Sequence, residues 1–259
     1  MAGADSLESE PVGIPVLLYH AVHDERPRGG KWTVPPEQFR IQMECIENSG
    51  RTSSVFSALT TDIKKQSIPP DRVVITFDDG YADTLWAASL LASRGLSCTV
   101  FVAAGLVGQP GMLTVEALRE LASLPLVEIG AHSIDHPHLD ELDAASLRRQ
   151  MEGSRDLLQQ MLGRAVTVFA YPHGAFDGRC LALAKEMGLD GCAAVKNALT
   201  HCRDNPFAVA RWTVTQDQPM DRFRSIVHGS GAPLASEKEL LSTRAYRTAR
   251  RLRRRVRRA

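Results

Sequence analysis

The sequence predicts an α/β fold of strand–helix repeats, and three observations carry that prediction. Short apolar runs alternate with helical patterns along most of the chain. The run VVITF (73–77) is continuously apolar, as in a strand covered on both faces. Polar residues able to do chemistry sit just after several of these runs. Six or seven such units in roughly 230 residues fit a parallel barrel, complete or not, better than an open sheet. The open doubly wound sheet is the alternative.

VLLY (16–19) is the first strand, followed by a helix over PEQFRIQMECIENSG (36–50). In that helix Phe39, Met43 and Ile46 share one face and Gly50 stops it. After VVITF comes a helix over 81–95, ending at Gly95. SCTVFVAA (97–104) pairs with a helix over 114–123, and VEIGAHS (127–133) with one over 143–163. TVFAY (167–171) precedes a helix over 178–188, and GCAAV (191–195) and ARWTV (210–214) close the series.

A chain of 259 residues, 44% apolar, can bury a large single core. No apolar run is long enough to span a membrane. The acidic start MAGADSLESEPVGIP is unlike a signal peptide, so a cytoplasmic location is expected. Five widely spaced cysteines without a CxxC pattern suggest reduced thiols rather than a disulfide framework. Residues 244–259 hold nine arginines and no acid, leaving 22 basic against 30 acidic groups elsewhere, a net −8. The expected division is a flexible segment 1–13, one domain over 14–229, and a linker with a basic tail over 230–259. Leu241, Ala245, Ala249, Leu252 and Val256 make a thin apolar stripe among the arginines. Such a helix suits an anionic membrane surface, docking on the acidic body, or solvent. Nucleic acid is the weaker partner, since the body is acidic and no base-stacking platform is visible.

His20, the Asp78–Asp79 pair, His132 and the stretch Tyr171-Pro172-His173 each follow a predicted strand. In parallel α/β folds that edge is where chemistry is assembled. His132 and His136, four apart, are placed on one side of a helical turn. Two imidazoles and one carboxylate make a three-ligand metal site with open positions. A second carboxylate beside the ligand can take a proton from the attacking water, so the Asp pair supplies ligand and base together. Gly80 then lets the chain turn sharply.

TFDDG (76–80), HSIDHP (132–137) and FAYPHG (169–174), in this order, resemble the polysaccharide deacetylases, the NodB-homology group of carbohydrate esterases (family 4). PVLLYHAV (15–22) and VPPEQFRIQM (34–43) resemble the branch acting on glucosamine polymers, and the likeness covers residues 14–229. It implies a distorted, incomplete (β/α)7 barrel and removal of an N-acetyl group from an amino sugar. It implies Asp79, His132 and His136 as metal ligands, Asp78 as general base, and Ser133 as a hydrogen bond holding the histidine loop. It also implies that the His173 backbone N–H stabilises the oxyanion. The implied metal is zinc, with cobalt or nickel as alternatives. Two positions depart from the pattern. Ala170 stands where many members carry an arginine that orients the base. IVHG, ending in His228, is a degenerate form of the motif that supplies the general acid.

His20 either lines the pocket or bonds a neighbouring strand end, and Trp212 lies either under the sugar or in the core. Tyr171 and Pro172 are expected beside the sugar, His138 is an orienting residue, and Trp86 belongs to the core. An N-acetyl hydrolase of a carbohydrate, polymeric, lipid-linked or a small glycosylated metabolite, is the leading function. An O-acetyl esterase or deformylase could use the same residues, and a non-catalytic glycan-binding barrel is a further class. A magnesium phosphotransfer enzyme is disfavoured, since it would use oxygen ligands alone.

Overall fold

The computed structural model describes residues 12–24 and 30–236. The strands are β1 (Val16–Tyr19), β2 (Ala21–Val22), β3 (Thr33–Val34), β4 (Thr52–Ser54), β5 (Arg72–Phe77), β6 (Cys98–Val102), β7 (Val127–Ala131), β8 (Val168–Ala170), β9 (Gly191–Ala193) and β10 (Trp212–Thr213). The helices are α1 (Pro36–Glu47), α2 (Phe56–Lys64), α3 (Thr84–Ser93), α4 (Val115–Ser123), α5 (Ala144–Leu162), α6 (Gly178–Glu186) and α7 (Met220–Val227). The main sheet runs β10-β1-β5-β6-β7-β8-β9, with β4 beside β5, and every pairing in it is parallel. A further parallel bridge joins Ala193 to Val209, three residues before β10. One segment therefore touches both ends of the strand path, and the sheet curls into the expected barrel-like fold rather than an open one.

Burial separates the two faces. Val16, Val74, Phe101, Val168, Ala170 and Ala193 form an interior cluster, while Leu17, Tyr19, Ile75, Phe77, Ile129 and Phe169 pack outward beneath the helices. The side-chain period of two along each strand makes this division. Gly130 is required inside, because a Cβ there would stand 2.4 Å from Phe101 Cδ1.

The sequence reading left residues 52–64 unassigned, and they close the barrel floor. Phe56, Leu59 and Ile63 of α2 join the interior cluster. The Phe56 and Ser57 N–H groups, orphan donors at the helix start, bond Thr99 Oγ1 at 2.8 Å and Glu128 Oε2 at 3.2 Å. With the N-terminal ends of the strands plugged, the C-terminal ends are left for a site. Also unassigned beforehand was α7, whose Phe223, Ile226 and Val227 are buried.

All five cysteines are free thiols. No helix among the described residues is long and apolar enough to cross a membrane. The expectations for the arginine-rich tail concern residues outside the described ones.

Asp83 precedes α3 and hydrogen-bonds the Val22 backbone, fastening the helix to β2. Burial pushes its carboxyl up to about 6 from 3.8. A carboxyl raised by folding contributes stability at low pH that is lost as pH rises through the folded value. The expected result is that wild type and Asp83→Asn melt alike near pH 4. By pH 8 the wild type should melt several degrees lower than the variant, measured by calorimetry across that range.

Candidate metal centre

Strand parity delivers the side chains. Along β5, Val73, Ile75 and Phe77 face the helices and Val74 faces inward, so Thr76 and Asp78 also turn inward. Along β7, Val127, Ile129 and Ala131 face outward, so His132 turns inward. Asp79 would point away, but its φ of +77° reverses the backbone. Its carboxylate then lies 3.4 Å from His132 Nε2 and 3.1 Å from His136 Nε2.

The two histidines meet by a different route from the expected helical turn. Residues 132–136 form a loop in which Ser133 has φ +64° and His136 φ +55°. Their rings come to 4.9 Å between centroids. Ser133 Oγ accepts the His136 N–H at 3.0 Å, as expected of it. Gln150 of α5 holds the loop from behind. Its Oε1 accepts the N–H groups of Ile134 and Asp135 at 2.9 and 3.0 Å, and its Nε2 donates to Asp135.

The donor atoms of Asp79, His132 and His136 lie within 4.8 Å of one another, the one such group of three among the described residues. The chemistry of the set fits a cation. His132 Nδ1 stands 2.8 Å from the Ala170 carbonyl, which can only accept, so Nδ1 carries the proton. In the neutral ring Nε2 then presents a lone pair to a carboxylate oxygen, Asp79 Oδ1, that is buried and makes no hydrogen bond. Three acceptors converging on one point are resolved by a divalent metal. Burial raises the Asp79 carboxyl, but His132 and His136 outweigh it and hold it far below the usual range. Burial lowers the His132 pKa, but Asp78 and Asp79 pull it above its ordinary value.

Asp78 is held differently. Arg211 grips it with two bonds, Nη1 to Oδ1 and Nη2 to Oδ2, both 2.7 Å, and is itself fully buried. Burial opposes the charge, yet the guanidinium keeps the Asp78 carboxyl below the usual range. Arg211 stands on the segment between Val209 and β10, and its Nε donates to the Ala194 carbonyl at 3.0 Å. The arginine absent at Ala170 is thus replaced in space from another strand. Sequence reading missed it, and missed Tyr81. Burial and the Asp79 charge push the Tyr81 phenol up to about 12, and it hydrogen-bonds Asp79.

The remaining candidates divide. His20 lies at the cluster: burial lowers its pKa, against the charges of Asp78 and Asp79, and its Nδ1 is buried without a partner. His173 has φ +58°, and its ring stands 4.3 Å from that of His136 and 4.1 Å from that of His138. Burial and those neighbouring imidazoles push the His173 ring down to about 4. Pro172 is buried and starts the short turn that carries His173.

Two placements, Tyr171 and His228, correct the sequence reading, and a third, Trp212, takes the core alternative left open for it. Tyr171 is fully buried among outward-facing residues, stacked on Phe176, with its hydroxyl bonded to the Phe207 carbonyl. Trp212 also packs on the outward face, under Arg222, with its indole N–H on Gln218. Strand parity explains both: Tyr171 follows Phe169, and Trp212 alternates with Arg211. His228 ends α7 and lines an exposed groove with Ile41, Cys45, Asn48 and Met220, separate from the strand-end cluster.

A family model described as polysaccharide deacetylase matches residues 65–192, which contain Asp78, Asp79, His132, His136 and His173. The chain carries a polysaccharide deacetylase domain over these residues. It is 30% identical over 183 residues to YxkH of Bacillus subtilis (strain 168), a protein named for the same family. That alignment covers 69% of this chain and 63% of YxkH, so less than two thirds of that relative is spanned. It is 22% identical over 201 residues to the poly-beta-1,6-N-acetyl-D-glucosamine N-deacetylase of Staphylococcus aureus (strain MRSA252), covering 72% of this chain and 69% of that protein. The fold is like that of the Streptococcus pyogenes deacetylase PplD, solved with acetate. The TM-score is 0.75 at 22% identity, over 82% of this chain and 96% of that one.

If Gln150 sets the histidine loop, Gln150→Leu should weaken zinc binding about 10- to 100-fold in a competition titration, with the fold retained by circular dichroism.

Proposed function

We propose that the protein is a metal-dependent hydrolase removing the N-acetyl group from an N-acetylglucosamine glycan. The observation that carries this is the different treatment of two adjacent carboxylates. Asp78 is fixed and charge-compensated by Arg211, while Asp79 shares an uncompensated donor set with His132 and His136. The named activity of the Staphylococcus aureus relative supports the sugar class.

Asp79, His132 and His136 would hold the cation, and zinc suits two imidazoles and one carboxylate. Bound there, it supplies Lewis-acid polarisation of the acyl carbonyl and a lowered water pKa. Asp78 takes the proton of the attacking water, and Arg211 keeps that carboxylate ionised and aimed. The backbone N–H of His173, set by its left-handed turn, faces the oxygen that gains charge. The C–N bond breaks, and the leaving nitrogen takes the proton that Asp78 accepted from the water. His20 lies at the cluster and helps position the reacting groups, whereas His228 lies in a separate groove. The products are acetate and a free amine.

The test is acetate release from soluble N-acetylglucosamine oligomers and from a lipid-linked N-acetylglucosamine. Zinc-loaded wild type should be active on at least one of them and silent after chelation. Asp78→Asn and Arg211→Met should each lose at least about a hundredfold in kcat while retaining stoichiometric zinc. Equal acetate from Asp78→Asn would sink the assignment of the base. A second comparison concerns the two histidines: His20→Gln should lower kcat at least about tenfold, and His228→Gln should change it less than about twofold.

A further inference from the structure

We infer that Trp32 is a sugar-stacking platform that helps set which carbohydrate the site accepts. This deepens the reading above and rests on it.

The chain has three tryptophans. Trp212 is spent on the outward core. Trp86 lies on α3 and is 37% exposed rather than in the expected core, tilted against Phe39 with the Arg40 guanidinium over its ring and away from the cluster's histidines. Trp32 alone is tied to the reacting cluster. Its ring centroid is 5.9 Å from that of His20, the residue whose charge is coupled to Asp78, Asp79, Arg211 and His132. It is 42% exposed, a large share for an indole that sits at a strand edge.

The backbone beneath Trp32 is anchored, so the indole is presented rather than loose. Thr33 and Val34 pair with Ala21 and Val22, directly after His20. Val34 O accepts the His23 N–H at 3.1 Å, and Lys31 O accepts the Gln216 N–H at 3.0 Å. The Lys31 ammonium stands 4.9 Å from the ring centroid. That exposed cation gives way to another partner at small cost. Pyranose rings present an axial C–H face, and an exposed indole with its polarised edge and face is the side chain that binds such surfaces best. His138 and His173 stand on the β7–β8 side of the cluster, and Trp32 stands beyond His20 on the β1 side. A sugar held at the cluster and extending past His20 meets the exposed indole of Trp32.

Calorimetric titration of zinc-loaded protein with a β-linked glucosamine tetramer, the fully deacetylated product, measures this without turnover. Trp32→Ala should bind about tenfold more weakly than wild type, Trp32→Phe should recover most of that loss, and Trp86→Ala should bind as wild type does. Equal binding by Trp32→Ala and wild type overturns the platform, and so does failure of wild type to bind. Acetate release from the acetylated tetramer is followed in parallel. Tryptophan-dependent binding without acetate release would leave the platform standing and sink the deacetylase reading. Acetate release with no effect of Trp32→Ala on binding would do the reverse.

Discussion

The paired bonds between Arg211 and Asp78 are the constraint on which the rest depends. A guanidinium with no solvent exposure cannot be tolerated without partners. Here four of the five donors of its fork are answered: Asp78 takes one bond from each terminal nitrogen, Thr76 Oγ1 takes a further bond, and Ala194 O takes Nε. Phe101 lies under its plane at 5.4 Å. These partners belong to β5, β6 and the end of β9, while Arg211 rides on the segment that meets β1. The ion pair therefore spans the junction where the curled sheet meets itself. Removing one partner leaves a buried charge and costs about 3–5 kcal/mol, so the orientation of Asp78 cannot drift without the barrel loosening.

That arrangement explains what the sequence could and could not say. The DDG pair, the HSIDH loop and their placement after strands were legible, because hydrophobic runs and the residues ending them are local features. Arg211 was not, since its partner is 133 positions away and ARWTV reads as an ordinary strand. A charged residue in the middle of an apolar strand was the available signal. The misplacement of Tyr171 and the undecided face of Trp212 have a similar origin. Position at a strand end was read correctly, but the face was not, although parity with Phe169 and with Arg211 carried it. The α2 plug was missed because its first turn starts on Val55 and Phe56, without a side-chain cap.

The loops over the cluster are held in conformations that L-residues avoid. Asp79, Ser133, His136 and His173 all have positive φ. Each such residue costs of order 1–3 kcal/mol and persists only where its surroundings over-determine it. The surroundings do so here. Asp79 O and Ser133 O accept N–H groups from Ala103 and Ala104, and the next turn closes through Gly174 N–H on Tyr171 O. Four strained residues gathered at one barrel end, among seven non-glycine cases in the described chain, are poor packing choices. They are good choices for aiming imidazoles and a carboxylate at a common point.

Two adjacent carboxylates repel, and the structure resolves this by giving each a different counter-charge. Asp78 receives a permanent one, an arginine that stays protonated at any working pH. Asp79 instead faces two imidazoles, His132 Nε2 at 3.4 Å and His136 Nε2 at 3.1 Å. Under the proposed mechanism the permanent pair marks Asp78 as the base, because both its oxygens are engaged by short bonds to Arg211. The same reading marks Asp79 as the metal ligand, because of the two it is Asp79 that has a buried oxygen left without a hydrogen bond. Exchanging the two residues' surroundings would exchange their roles. The assignment of ligand and base thus lies in the partners, Arg211 on one side and His132 with His136 on the other, rather than in the Asp-Asp sequence itself.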